Sequence, residues 1–206
     1  MSDLARESAK REQPERKLEV PSAPRPIGRL TVVALAAAAL AALGAAALFA
    51  QRQANDKYLL KSPGGIALSD FRGYEDWADI SSSRTDDRLK VIVGNPTVIN
   101  AFKSGIPGNG KPFPDGSMIA KLQWSQKKST EAPFVVDVPD AFKEIFVMEK
   151  DSNKFAKSNG WGYAVFNYDA ASDTYTPDPK ALSDCGNACH TAVKAKDYVF
   201  HPYQKR

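Results

Sequence analysis

Cysteine, histidine and methionine are scarce in this 206-residue chain, which holds two, two and three of them. Two cysteines permit one disulfide at most, and no third is present to build a cysteine-rich zinc site. No internal repeat is evident, so repeat architectures are set aside. A concentrated basic stripe is also missing: the 28 Lys and Arg residues alternate along the chain with 24 acids, so the net charge of +4 is not gathered as a phosphate backbone would require. Nucleic acid is therefore not an expected partner. Length and composition otherwise fit one ordinary globular domain with appendages.

Only one long hydrophobic run exists. Thr31 to Ala50 is uncharged and made almost entirely of Ala, Leu and Val; as a helix rising ~1.5 Å per residue it would span ~30 Å, the thickness of a bilayer's hydrocarbon core. Arg6, Lys10, Arg11, Arg16, Lys17, Arg25 and Arg29 precede it, which keeps the N-terminus in the cytoplasm and sends the rest across. Small residues such as Ala45 and Ala47 leave a cleaved signal peptide as the competing reading. The long basic leader and the length of the run favour a retained anchor. The expected organisation is a disordered cytoplasmic tail over 1–29, a transmembrane anchor over 30–50, a linker over 51–57 and an exported domain over 58–206, on the periplasmic side of the inner membrane.

Within the exported part, Phe71, Tyr74, Trp77 and Ile80 recur at helical spacing behind Ser69 and Asp70, and predict an amphipathic helix over Asp70–Ile80. Leu89–Val93, Met118–Trp124, Phe142–Met148 and Trp161–Tyr168 are apolar or alternating, rich in β-branched and aromatic residues and bounded by turn formers, and read as strands. Pro96–Ser104 reads as a short helix capped by Asn95, and Ser152–Ser158 as another. The fold class expected is α+β: a mostly antiparallel β-sheet with a few helices, preceded by one transmembrane helix.

The strongest chemical signal is Cys185-Gly186-Asn187-Ala188-Cys189-His190. In a Cys-x-x-Cys-His segment two thiols add to the haem vinyl groups and the adjacent imidazole meets the iron. Here the spacer is one residue longer, so the residues alone leave two readings open: a variant haem attachment site, or a short disulfide beside an incidental histidine. Export suits both.

Further segments carry a resemblance. Phe113-Pro114-Asp115-Gly116-Ser117-Met118-Ile119-Ala120-Lys121-Leu122, then Lys150 to Ala156, then Gly160-Trp161-Gly162-Tyr163-Ala164, then Cys189-His190 followed by Asp197-Tyr198-Val199-Phe200, stand in the order and approximate spacing of the cytochrome P-460 family. The likeness runs from about Tyr58 to Tyr203. It implies one covalent haem c per chain, bound by Cys185 and Cys189, with His190 as the iron's single protein ligand, a curved antiparallel sheet over the haem, and a homodimer. In cytochrome P-460 proper a lysine is joined to the haem rim, and the matching position here is Lys121. The related cytochromes c′-beta lack that bond. The first type oxidises hydroxylamine and passes electrons to a redox partner; the second binds nitric oxide.

Residue chemistry can be set beside these implications. Apart from Met1, the methionines are Met118 and Met148, both inside expected strands, where a side chain packs as sheet core more readily than it ligates iron. A His/Met electron-transfer cytochrome is thereby disfavoured. Lys121 shares a strand face with Ile119 in a period-two count, an unusual place for a cation. Lys90, on Leu89–Val93, matches a basic distal position of the family and is the second candidate catalytic residue. His201 is expected to be exposed. Phe113, Trp124, Phe146, Trp161, Tyr163 and Phe166 can wall a porphyrin, although any mostly β domain needs such a core.

Overall fold

The computed structural model describes residues 28, 40–47, 56–204 and 206, and the chain divides into two units, 1–47 and 48–206. In the first unit residues 40–47 form a helix, α1. Most of the expected tail, anchor and linker lie outside the described residues, and among the described residues no helix is long and apolar enough to cross a membrane.

The second unit is built on a six-stranded antiparallel sheet in which neighbours in sequence are neighbours in space. Its strands are β1 (Ala78–Arg84), β2 (Leu89–Gly94), β3 (Met118–Ser129), β4 (Val136–Lys150), β5 (Trp161–Asp169) and β6 (Thr174–Pro177). One helix, α2 (Pro96–Lys103), joins the β2–β3 connection. Asn95 starts it by accepting from the Val98 N–H at 3.1 Å, and Pro96 follows where no backbone donor is needed. The unit is thus α+β with the sheet dominant.

Register sorts the side chains into two faces. Val93, Ala120, Val147 and Ala164 lie directly opposite one another on one face; they pack against Ile66, Leu68, Phe71 and Tyr74 from the segment ahead of the sheet. One residue along, Ile92, Lys121, Phe146 and Val165 are in register on the other face, as are Ile119, Met148 and Tyr163. This second face is covered by α2 and by Tyr198 and Val199 of the C-terminal segment.

Two helices expected from periodicity do not form. Over Asp70–Ile80 the chain makes two short 3-10 turns, Leu68–Phe71 and Tyr74–Asp76, and then enters β1. Gly73 between them takes φ 85°, which no right-handed helix can include. The aromatic spacing serves both faces instead: Phe71 and Tyr74 pack on one, while Ile80 reaches the other. Over Ser152–Ser158 only Ala156–Ser158 is helical, as a 3-10 turn. Asp151 Oδ1 accepts from the Asn153 and Lys154 N–H groups at 3.0 and 2.8 Å, a local turn that competes with helix. The strands β1 and β6 were not expected, and β3 and β4 continue past their sheet neighbours as a two-stranded ribbon.

Candidate functional site

The C-terminal segment closes one side of the sheet with an unusual winding. Leu182–Cys189 is a π-helix and His190–Lys196 a kinked 3-10 run. The His190 N–H donates to the Cys185 carbonyl, a span of five residues that one wide turn bridges. With a three-residue spacer between the cysteines, this winding stacks Cys185 and His190 on one side of the segment. Gly186 permits the close seating, because a Cβ there would collide with the Tyr163 ring of β5.

Between this segment and the sheet lies a cavity. Lys121, Phe146, Met148 and Tyr163 line it from the strands, and Cys185, His190, Phe200 and His201 from the C-terminal segment. The fold therefore brings Lys121, Cys185 and His190 to one place across more than sixty residues of chain. Cys189 is exposed, and neither cysteine is in a disulfide. Lys90 shares the sheet face of Lys121 but does not line the cavity, and it reaches the site only through its charge.

His190 is held in one orientation. Its Nδ1 lies 2.6 Å from the Tyr198 carbonyl oxygen, and its ring is flanked by Tyr163 and Phe200 at 4.9 Å each. A carbonyl can only accept, so Nδ1 carries the proton and Nε2 keeps its lone pair. Burial pushes the imidazole's pKa below its ordinary value; the Tyr198 bond opposes this and the Lys121 charge adds to it. The ring is thus neutral near pH 7, the form that binds metals.

Lys121 places its Nζ 3.8 Å from the centre of the Phe146 ring. Burial lowers its pKa and Lys90 acts in the same direction, against Cys185, Glu144 and Cys189. Such an amine loses its proton more readily than a surface lysine. Burial raises the pKa of Cys185, with Lys121 opposing, so its thiol stays protonated.

Sequence reasoning missed His201. It lines the cavity, and burial together with Lys121, Lys90 and Lys196 lowers its pKa. Its position directly after the Asp197–Phe200 block was the available signal. Of the aromatic residues expected to wall the site, Phe146 and Tyr163 line it, and Phe113 and Trp161 pack in the same core with ring centres 6.1 Å apart. Phe166 lies on the opposite face, and Trp124 packs on Phe142 at 5.4 Å, away from the cavity. Met118 also belongs to the opposite face, whereas Met148 is a buried wall residue.

The donor set suits a prosthetic group better than a bare ion. Among the described residues no group of three or more His, Cys, Asp or Glu side chains could hold a metal ion. One thiol in the cavity wall with a second, exposed one four residues on, one imidazole with a free Nε2, and aromatic walls fit a haem, whose porphyrin brings the remaining ligands. Tyr163 lines the cavity, and its buried hydroxyl has no hydrogen-bond partner.

Comparison with models of protein families matches residues 71–201 to the family described as Cytochrome P460. No curated protein matches the chain.

Proposed function

Because the chain belongs to the cytochrome P460 family, whose cofactor is haem c, we propose that Cys185 and Cys189 hold that haem covalently and that His190 Nε2 is its proximal iron ligand. The observation that carries this reading is the 2.6 Å contact between His190 Nδ1 and the Tyr198 carbonyl. Histidines that bind metals nearly always donate their other N–H to a carbonyl or carboxylate, which fixes the tautomer and raises ligand basicity.

When bound, haem c would supply a redox-active iron able to take a small nitrogen ligand. Met148 lines the cavity from β4, so a low-spin His/Met spectrum is the outcome that would overturn the reading of an open site. The reading extends to hydroxylamine as substrate, with oxidation to N2O or NO and electrons passed to a redox partner, and to NO as a ligand. Lys121 is the candidate cross-linking amine at the haem rim, supported by its burial in the cavity and its lowered pKa. Oxidation of hydroxylamine releases protons. His201, an imidazole of the cavity wall whose pKa is lowered by burial, is the group placed to take them, while Lys121 and Lys90 contribute positive charge. We further propose that the chain is anchored in the inner membrane by its N-terminal run, faces the periplasm, and works as a homodimer.

One feature favours a second reading, a protein that captures NO without turnover: among the described residues no carboxylate lines the cavity. The visible spectrum of the ferrous, haem-loaded protein, taken with the mass of its haem peptides, separates the two. A red-shifted Soret band with Lys121 joined to haem supports hydroxylamine oxidation. A conventional high-spin spectrum with haem held by Cys185 and Cys189 alone supports NO binding. A low-spin His/Met spectrum points to electron transfer, and absence of haem overturns all three.

A further inference from the structure

The turn that carries the Tyr198 carbonyl is costly by itself. Asp197 and Tyr198 both have positive φ, 46° and 65°, a conformation that crowds Cβ against the carbonyl and is disfavoured for residues other than glycine, for tyrosine more than for aspartate. Two backbone bonds help to hold it, from Asp197 N–H to the Lys194 carbonyl at 3.0 Å and from Tyr198 N–H to the Val193 carbonyl at 3.2 Å.

The stronger restraint is the Asp197 side chain. Its Oδ2 accepts from the Phe113 N–H at 2.7 Å, and Lys150 Nζ donates to Oδ1 and Oδ2 at 3.1 and 3.3 Å. Lys150, the last residue of β4, also donates to the Asn159 carbonyl at 3.2 Å and lies 5.1 Å from the centre of the Trp161 ring. Both side chains are shielded, at 6% and 13% exposure. A buried ion pair of this kind is weak evidence for stability, since removing two charges from water costs about what their attraction returns. It is better suited to selecting one backbone conformation. The residue after the clamped carboxylate is the one whose carbonyl accepts from His190.

We propose that the Lys150–Asp197 ion pair is a positioning device for the iron ligand: it pins the Asp197–Tyr198 turn so that the Tyr198 carbonyl stays against His190 Nδ1, fixing the tautomer, ring orientation and basicity of Nε2. The proposal rests on His190 being the proximal ligand. Lys150 and Asp197 touch neither haem nor substrate in this scheme; they act through the turn. Both belong to segments that carry the family resemblance, where neither had a role.

The test uses the haem-loaded full chain with Asp197→Asn, the double variant Lys150→Met/Asp197→Asn, and His190→Gly. The isosteric Asn keeps an acceptor for the Phe113 N–H but leaves the Lys150 charge unpaired, so the double variant, which leaves no buried charge unpaired, is the one built to fold. The readouts are the iron–histidine stretching band of the ferrous protein and the ferric/ferrous midpoint potential. With Nδ1 less firmly bonded the imidazole becomes a weaker donor, which disfavours the ferric state. The band moves to lower frequency, and the ferric over ferrous preference falls about tenfold, or about 59 mV upward for one electron. If the band vanishes in His190→Gly but stays unmoved, with the potential, in the other two variants, the ligand assignment stands and the positioning role is overturned. If the band survives in His190→Gly, the ligand assignment has failed and the proposal falls with it.

Discussion

The Nδ1 atom of His190 lies 2.6 Å from the Tyr198 carbonyl oxygen, eight residues further along the chain. In the proposed reading that contact separates two jobs in one segment, attachment for the cysteines and ligation for the histidine. Replacing His190 by Gly should therefore leave the covalent haem mass unchanged while abolishing the five-coordinate histidine-ligated spectrum. Imidazole added to the solution should restore the spectrum by entering the space the side chain left. Loss of attached haem in this variant would show that the two jobs are not separable.

Gly186 makes a second test. A methyl group at this position would sit inside the Tyr163 ring, and neither side has free space, because Tyr163 is 3% exposed in the core. Gly186→Ala should lower stability by about 1–3 kcal/mol, the usual cost of overpacking. It should also reduce haem attachment, since the π-helical turn must move away from β5 and carry Cys185 with it. Urea unfolding and the haem-to-protein ratio of purified material report the two effects. Full haem loading with unchanged stability would mean that the turn is not held by this contact.

The contrast between Cys185 and His201 shows how much of the site was legible. The hexapeptide around Cys185 announces itself because the bonding pattern is local, and π-helical winding accommodates its longer spacer within a few residues. Lys121 was legible as an odd cation on an apolar strand face, since alternation alone sets which side it takes. His201 enters the cavity because the Asp197–Tyr198 turn folds its segment back, and only its place directly after the Asp197–Phe200 block pointed there. The fold divides in the same way. β2 to β5 carry period-two patterns that survive any context, whereas Phe71, Tyr74 and Ile80 mimic a helix while packing on opposite faces of a sheet. The short edge strand β6 draws its pairing from β5 and not from its own four residues.

Asn95 links α2 to the strand that carries Lys121. Its Oδ1 accepts from the Val98 N–H and the Met118 N–H, each at 3.1 Å, and its Nδ2 donates to the Gly116 carbonyl at 2.8 Å. Asn95→Ala removes a helix cap and leaves two further backbone groups short of a partner, so it should cost about 2 kcal/mol. The denaturation midpoint should fall with the slope unchanged, and the haem spectrum should stay as in the parent protein, because none of these groups lines the cavity. A changed spectrum would mean that the β3 entry transmits strain to Lys121.

Glu75 gives a prediction in pH on the face away from the cavity. Lys57 Nζ lies 2.7 Å from its Oε1, and the Tyr58 hydroxyl donates to Oε1 and Oε2 at 3.0 and 3.2 Å. Partial burial alone would raise the carboxyl pKa, but the hydrogen bond from Lys57, with the backbone, the Lys57 charge and Tyr58, outweighs it and leaves the group below the ordinary carboxylate range. Between the lowered and the ordinary value the unfolded chain binds more protons than the folded one, so stability rises with pH across that window. The parent should be more stable than Glu75→Gln at neutral pH, by less than ~1 kcal/mol because the pair is half open to solvent. The gap should close as the pH falls through the lowered pKa. Denaturation midpoints of both proteins, followed from neutral pH down through the carboxylate range, measure it. A gap that stays constant with pH would assign the difference to packing instead of to the charge on Glu75.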